Sequence, residues 1–507
     1  MYLTFDVGTT SVKTSLFDGQ GRLVGKSIGN YELQSPQVDW YEVEPELYWQ
    51  AVLEGFRETL RKSGVASKSV KTICGCSQGE TIIFLDENDQ SIRPAIVWLD
   101  NRPRKEVAEL KGKISTEDFY HATGCLDIET TFSALKVLWL KHNEPENFGR
   151  IAKLVLVEDY IVYRLTGRFV STLNLLHSTA FAHIHRKQYW SPVVDLLEVA
   201  DALPEIVPVG SVVGSLKATL AEDLGLSKDT VVVKGAMDQT MSAVGAGNVA
   251  AGVVSETTGT ALAIGVTVDS VDRVHPYRLP YQPHAVADRF LILPYAQTAG
   301  ILYKWFRDNF CQEEIRNAGG IEEAYEVMNR LSAAVPPGAD GLVLLPFFAG
   351  AFAPENDLNA KGVLYGLTLK HGKAHVARAI QESVGYMLRK ILSVLSDADI
   401  QVVEVRSMGG AARSDLWMQI KADICNLPLV RMQQEETSTL GCAILAAVVG
   451  GEYRNTEEAV QHMVRVGQRF SPRTENVDLY SQRFRLYNEL YRALAPVYKT
   501  YAEGGSE

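Results

Sequence analysis

Cysteine is scarce and scattered in this chain. The six residues Cys74, Cys76, Cys125, Cys311, Cys425 and Cys442 share one close spacing, Cys-x-Cys inside the apolar run TICGC. Such a pattern gives no disulfide framework, and reduced structural thiols in a cytosolic protein are expected. His183 and His185 in FAHIHR, and His371 with His375, lack carboxylate or cysteine partners at ligand spacing, so no metal role is read from them. Long apolar runs are missing as well. The longest candidate, LGCAILAAVVGG from Leu440 to Gly451, is shorter than the ~18 residues a membrane-spanning helix needs. Basic excess is absent: Lys and Arg number 50 against 61 Asp and Glu, a net charge of −11. That balance argues against nucleic acid and anionic membranes as partners, while a local site for a small anion stays open. Met1 runs straight into YLTFDV with neither a basic segment nor an apolar signal core, so no signal peptide and a cytoplasmic location are expected. Neither a Walker loop nor a GxGxxG pattern occurs, and no low-complexity linker divides the chain.

What is present is a long, ordinary globular composition. The 507 residues are 46% apolar and 22% charged, and at ~150 residues per domain they make two to four domains, for which two large lobes fit well. Strand-like and helix-like segments alternate, which predicts α/β lobes. YLTFDVG with SVKTSLFD reads as a hairpin, and RLVGKSIGNYEL as a further strand pair. ELYWQAVLEGFRETLRKSG reads as a helix and SVKTICGCS as a buried strand. DTVVVKGAMDQTMSAVGAG predicts a buried strand, a loop, then a small-residue helix. VVSETTGTALAIGVTVDSVD then repeats the opening, Thr258-Gly259-Thr260 answering Val7-Gly8-Thr9-Thr10, which makes duplication plausible. The expected division is residues 1–248 as an N-terminal lobe and 249–507 as a C-terminal lobe ending in a helix.

The turn in FDVGTTSVK offers backbone N–H groups, hydroxyls and a glycine that lets a phosphate come close. Lys13 adds positive charge, and Asp6 would repel phosphate unless a divalent cation lay between them. A magnesium–nucleotide site and a plain hairpin both satisfy this segment. Met408-Gly409-Gly410-Ala411-Ala412 suits either a base or ribose, or close packing of strand and helix. Asp238, at the end of its strand, stands either as a general base for a substrate hydroxyl or as a helix cap. Glu80 in SQGET and Trp98 with Asp100 in AIVWLDNR are polar and aromatic groups suited to a polyhydroxylated substrate. The run Arg102 to Lys105 reads as a solvated helix face.

The ordered set FDVGTTSVK, SQGET, AIVWLDNR, FSALKVLWL, GAMDQT, SETTGT, KGVLYGLTL and MGGAARSDLW resembles the FGGY carbohydrate kinases, from about Tyr2 to about Gly450. The resemblance implies two ribonuclease H-like lobes of the actin and hexokinase type with a cleft between them. Sugar would be bound mainly by the first lobe and ATP mainly by the second, and lobe closure would exclude water. It implies Asp238 as catalytic base and Asp6 as the residue that positions Mg2+ through water. Gly8, Thr9, Thr10 and Lys13 would line the transferred phosphate, with Gly259 and Thr260 opposite, and Gly300, Gly410 and Ser414 would hold the nucleotide. Gln78, Glu80, Trp98 and Gln239 would bind substrate, and a homodimer is the assembly such a family suggests.

Departures from the family's patterns bear on the acceptor. Glycerol kinases are similar at Glu80, Trp98, Asp238 and Gln239 but carry Arg where Gly79 stands, Tyr at Thr131 and Phe at Ala263. All three changes remove bulk, so a pocket for a pentulose such as xylulose or ribulose, a hexulose or a longer alditol is expected. Glycerol itself or another polyol is the alternative. Xylulokinases usually have His at the Glu80 position and Asn after the catalytic Asp, which points away from D-xylulose itself. A nucleotide-binding sugar sensor without transferase activity is a remoter reading, because Asp6 leaves no room for a preceding helix-turn-helix.

Overall fold

In the computed structural model, which describes residues 1–351 and 353–503, the chain forms two compact units. The first comprises residues 1–249, 280–291 and 436–464, the second 250–279, 292–435 and 465–507. The expected division into 1–248 and 249–507 is therefore corrected: two later segments belong with the first unit. Residues 504–507 of the expected second lobe lie outside the described residues.

The first unit is built on a six-stranded mixed sheet. Its elements are β1 (Tyr2–Val7), β2 (Ser11–Phe17), β3 (Leu23–Asn30), α1 (Pro45–Ser63), β4 (Thr72–Ser77), α2 (Ser133–Asn143), α3 (Val157–Thr166), β5 (Val212–Ser215), β6 (Val231–Met237) and α4 (Asp238–Gly245). The strand order is β5-β6-β4-β1-β2-β3. β1 runs antiparallel to β2 and parallel to β4, and β4 runs parallel to β6. Every residue of β1 and β4 is buried, as expected of strands covered on both faces, and this is why YLTFDV and TICGCS read as nearly continuous apolar runs. The helix Thr437–Val449 explains the correction to the division. Its residues from Thr437 to Ala447 are all buried, so its apolar sequence needs cover on every side. That cover includes α4: a Cβ on Gly245 would lie 1.9 Å from the Thr437 carbonyl oxygen, and one on Gly441 would lie 2.0 Å from that of Met241. Two glycines thus let the helix backbones touch.

The second unit repeats the opening pattern with different sequence. Its main elements are β7 (Val253–Thr258), β8 (Leu262–Val268), α5 (Gly300–Phe310), α6 (Lys373–Asp397), β9 (Glu404–Met408), α7 (Asp415–Cys425), β10 (Leu429–Met432), β11 (Val466–Phe470) and α8 (Thr474–Glu503). Within the unit the strands run β8-β7-β9-β10-β11. β7 is antiparallel to β8 and parallel to β9, the same relation that β1 has to β2 and β4. Both units thus begin with a hairpin whose first strand also leads a parallel pair, and the fold class is α/β with two ribonuclease H-like units. Two local expectations differ. β6 enters α4 with no intervening loop, and the helix read over Arg102 to Lys105 starts only at Arg104. Among the described residues no helix is long and apolar enough to cross a membrane.

Candidate active site

The turn after β1 is held from two sides. Its own closure is the Gly8 N–H bond to the Ser11 carbonyl at 2.9 Å, and the Tyr31 N–H donates to the Thr10 carbonyl at 3.1 Å. The Tyr31 hydroxyl donates to the Gly8 carbonyl, and Trp98 Nε1 donates to Thr9 Oγ1 at 3.0 Å. Gly8 and Thr9 are half-buried and Thr10 is exposed, so the turn is fixed yet accessible. Trp98, expected as a substrate residue, spends its indole N–H on this turn.

Asp6 and Lys13 face each other in the hairpin register. Asp6 is buried, its Oδ2 accepts from Ser438 Oγ at 2.7 Å, and its Oδ1 has no hydrogen-bond partner. Burial pushes this carboxyl above the usual range, with Lys13 and Ser438 opposing and Glu436 adding to the rise. Lys13 Nζ lies 3.9 Å from Glu436, which also pairs with Lys26 at 3.2 Å. Neither Glu436 nor Ser438 is legible in the sequence as a site residue, because Ser438 is 432 positions from Asp6 and no local motif marks it. The unpartnered Asp6 oxygen fits a divalent cation. Among the described residues no cluster of three His, Cys, Asp or Glu side chains stands ready for a metal. The fit is thus to Mg2+ held mostly by water and phosphate oxygens, the usual way of that ion.

Asp238 is the first residue of α4, and its Oδ1 accepts from the N–H of Gln239 at 2.6 Å. It does not cap the helix: the N-cap position is Met237, whose own N–H goes to Asn174 Oδ1 at 2.8 Å. Burial raises the Asp238 carboxyl to about 7, with the negative charges of Asp6 and Glu80 adding to the rise and the Gln239 N–H and Lys13 opposing it. Gln239 is exposed.

The segment after β4 brings the remaining polar groups. Gln78 is buried, bonds through its N–H to the Val7 carbonyl at 2.9 Å and through Nε2 to the Tyr48 hydroxyl at 3.3 Å, and leaves Oε1 unpartnered. Glu80 sits at φ 56°, a left-handed conformation costly for a residue with a Cβ and kept only where its surroundings demand it. Its carbonyl accepts from Ser133 Oγ at 2.8 Å and from Lys136 Nζ at 3.4 Å. Burial raises the Glu80 carboxyl to about 6 against the pull of Ser178 and Lys136, and burial lowers the Lys136 ammonium to about 7. Nothing in the sequence singles out Lys136, Ser178 or Asn174, although Lys136 lies inside the quoted motif FSALKVLWL.

A Cβ on Gly79 would lie 2.7 Å from Met237 Cε and 3.2 Å from Ser178 Oγ. Two expectations here are corrected. Asp100 is fully buried and committed to the Tyr41 N–H at 2.7 Å and to Arg102, so it is not free for a substrate. Arg102 is no part of a solvated face, since its buried guanidinium pairs with Asp100 and Glu42, each at 2.7 Å.

In the second unit the Gly259 carbonyl accepts from the Gly300 N–H at 2.9 Å and the Thr260 carbonyl from the Ala299 N–H at 3.1 Å. A Cβ on Gly300 would lie 2.3 Å from the Gly259 oxygen, so only glycine allows this approach. The turn is backed by Lys421, fully buried, whose Nζ donates to Glu256 Oε1 at 2.9 Å and to Thr258 Oγ1 at 2.7 Å. Nothing lies within 4 Å of the Cβ positions of Gly259 and Gly410. Ser414 is the N-cap of α7, its Oγ accepting from the Trp417 N–H at 3.3 Å. Ala263 lies on β8 opposite Tyr295. The first unit therefore collects Asp6, Gly8, Thr9, Thr10, Lys13, Gln78, Glu80, Trp98, Asp238 and Gln239. The second collects Gly259, Thr260, Gly300, Gly410 and Ser414.

Known proteins similar to this chain include carbohydrate kinases. Residues 1–245 match the N-terminal domain of the FGGY family of carbohydrate kinases and residues 252–449 its C-terminal domain. A xylulose kinase of Bacillus subtilis (strain 168) is 29% identical over 492 residues, covering 96% of this chain and 95% of that protein. A gluconokinase of the same organism is 28% identical over 506 residues, covering 99% and 97%. The crystal structure of xylulose kinase from Rhodospirillum rubrum superimposes with a TM-score of 0.89 at 29% identity, covering 98% of this chain and 99% of that one. The chain belongs to the FGGY family of carbohydrate kinases and is an ATP-dependent phosphotransferase with an alcohol group as acceptor.

Proposed function

We propose that this kinase phosphorylates a hydroxyl of a neutral ketose or polyol, with Asp238 as general base. The observation that carries the reading is Asp238 itself, half-buried at the start of α4 and raised to about 7 by burial and by Asp6 and Glu80. A carboxylate so tuned accepts a proton near neutral pH. Asp238 takes the hydroxyl proton as the oxygen bonds to the γ-phosphorus, and the bridging bond breaks with its electrons leaving on ADP. Thr9 and Thr10 would present N–H and hydroxyl donors to the transferred group, Gly8 would let it come close to the main chain, and Lys13 would add its charge. Mg2+ neutralises phosphate oxygens when bound, and the free oxygen of Asp6 would hold it through water. Gln78, Glu80 and Gln239 would orient the sugar from the first unit, and Gly259, Thr260, Gly300, Gly410 and the region of Ser414 would receive the nucleotide in the second.

Glu80 supports a neutral acceptor. An aldonate would bring another negative charge beside Glu80, Asp238 and Asp6, and like charges at short range oppose binding. The relatives include both xylulose kinases and gluconokinases, so the choice is a real one. The test is ADP release over a panel of D-xylulose, D-ribulose, a hexulose, glycerol, longer alditols and D-gluconate. Turnover should be best with a neutral member, and Asp238→Ala should lose ~10²- to 10⁴-fold in rate. Near-full activity of Asp238→Ala would sink the base, and preference for D-gluconate would sink the neutral acceptor.

A further inference from the structure

A second set of buried charges in the first unit takes no part in the proposed chemistry. Lys234 lies on β6, and Glu158 and Asp159 lie in the first turn of α3; Lys234 and Glu158 are 0% exposed and Asp159 is 1% exposed. Lys234 Nζ donates to Glu158 Oε2 and, at 2.5 Å, to Asp159 Oδ1. The charges sit beside an irregularity in the sheet. β6 pairs with β4 through Val233 and Cys74, then through Ala236 and Cys76, so β6 carries one residue more than its partner between these pairs. That extra residue is a β-bulge, a device that bends a strand and re-aims the residues beyond it.

The bulge leaves a backbone donor to satisfy, and Glu158 takes it. The Gly235 N–H donates to Glu158 Oε1 at 3.0 Å. A Cβ on Gly235 would lie 1.7 Å from the Gly75 carbonyl oxygen, so the bulged strand is pressed against β4. The other side of Glu158 faces the substrate segment: its N–H donates to Ser77 Oγ at 3.1 Å, and that hydroxyl donates to the Gln78 carbonyl at 2.8 Å. One residue thus ties the strand end that carries Asp238 to the strand end that carries Gln78 and Glu80.

We infer that Glu158 is a positioning residue for the reaction: its carboxylate caps the bulge in β6 and so sets where Asp238 stands relative to the acceptor hydroxyl. The inference rests on Asp238 being the base. Lys234 orients the Glu158 carboxyl and opposes the rise that burial and the neighbouring Asp159 impose on it. An error of about 1 Å in placing a reacting group costs on the order of 10²-fold in rate, so the role should be visible in kinetics.

Glu158→Ala and Glu158→Gln are compared in the full-length enzyme, on the best acceptor of the sugar and polyol panel. Glu158→Ala should lower kcat by about 10- to 100-fold with both KM values within about 3-fold of the parent. Glu158→Gln, which retains an acceptor for the Gly235 N–H, should recover most of that loss. In an Asp238→Asn background, Glu158→Ala should add little further loss, because a misplaced base and an absent base are one defect. An equal loss in both backgrounds, or an unchanged kcat in folded Glu158→Ala, overturns the inference. Full activity of Asp238→Asn overturns the base instead, which keeps the two failures apart. Amide hydrogen exchange gives a readout free of turnover. Glu158→Ala should speed exchange across residues 231–241 and leave 253–268 unchanged, whereas unaltered exchange across 231–241 overturns the inference.

Discussion

The two Gly-Thr turns, Gly8 to Thr10 in the first unit and Gly259 to Thr260 in the second, share a topology and differ in where their charges end up. Each comes after a strand that is antiparallel to the next strand and parallel to a later one. Around the first, charge is left available: Asp6 keeps an unpartnered oxygen, and Lys13 reaches Glu436 only at 3.9 Å with its side chain 40% exposed. Around the second, Lys421 and Glu256 pair at 2.9 Å with both side chains fully buried and Thr258 beside them, although Glu256 Oε2 also lacks a partner. A close, fully buried pair fixes a backbone and offers little to a ligand, whereas a lysine that is part-exposed and only loosely paired is available for chemistry. The first turn thus has a part-exposed lysine beside it, and the second is backed by a buried ion pair.

This contrast predicts opposite failures. Asp6→Asn should lose roughly 10²- to 10³-fold in kcat, the scale seen when one group that stabilises developing charge is removed. Its melting temperature should change little, since burial already opposes ionisation of this carboxyl. Equal activity over a magnesium titration would break the comparison. Lys421→Met should fail the other way. It leaves Glu256 buried and unpaired, a defect worth about 3–5 kcal/mol. For a unit of this size that amounts to a fall in melting temperature on the order of 10 °C. Calorimetry should resolve it, and the kcat of the folded fraction should stay within a few-fold of the parent.

How much of this can be read in advance depends on sequence distance. The hairpins, the repeat of the Gly-Thr turn, Asp238 and the SQGET segment are local patterns, with apolar periodicity broken by glycine and hydroxyl residues, and they are legible. What hides is non-local. Ser438 and Glu436 reach Asp6 and Lys13 from a helix whose apolar sequence reads as packing, and Asn174 holds the Met237 N–H from 63 positions away. The bulge in β6 does leave a mark, because Lys234-Gly235 interrupt the run VVVKGAM and an isolated glycine in a strand suggests a bulge, but its partner Glu158 lies 77 positions away. Charge misleads in the same way at Arg102, whose neighbours in sequence are polar while its partners, Asp100 and Glu42, are buried.

Gly300→Ala tests the second turn at its tightest point. With a Cβ directed at the Gly259 oxygen from 2.3 Å, the turn must move, and KM for ATP should rise by about tenfold, a loss of the size of one good hydrogen bond to a charged group. KM for the acceptor should hold; a rise in both would mean that the turn does more than seat the nucleotide.

The smallest effect is the most diagnostic of the first turn. As the proposed base, Asp238 would have to be ionised to accept a proton, and its carboxyl is raised to about 7. kcat/KM should therefore fall as pH drops through 7 and decline about tenfold per unit below it. Glu80 is one of the negative charges that raise Asp238, acting behind burial and Asp6. Glu80→Gln removes that charge and keeps the shape, so ionisation of Asp238 becomes easier and the acid limb should move to lower pH by less than one unit. A limb that stays in place would mean that burial and Asp6 alone set the base. A limb that moves to higher pH would contradict like-charge coupling between the two carboxylates and detach Glu80 from the catalytic group.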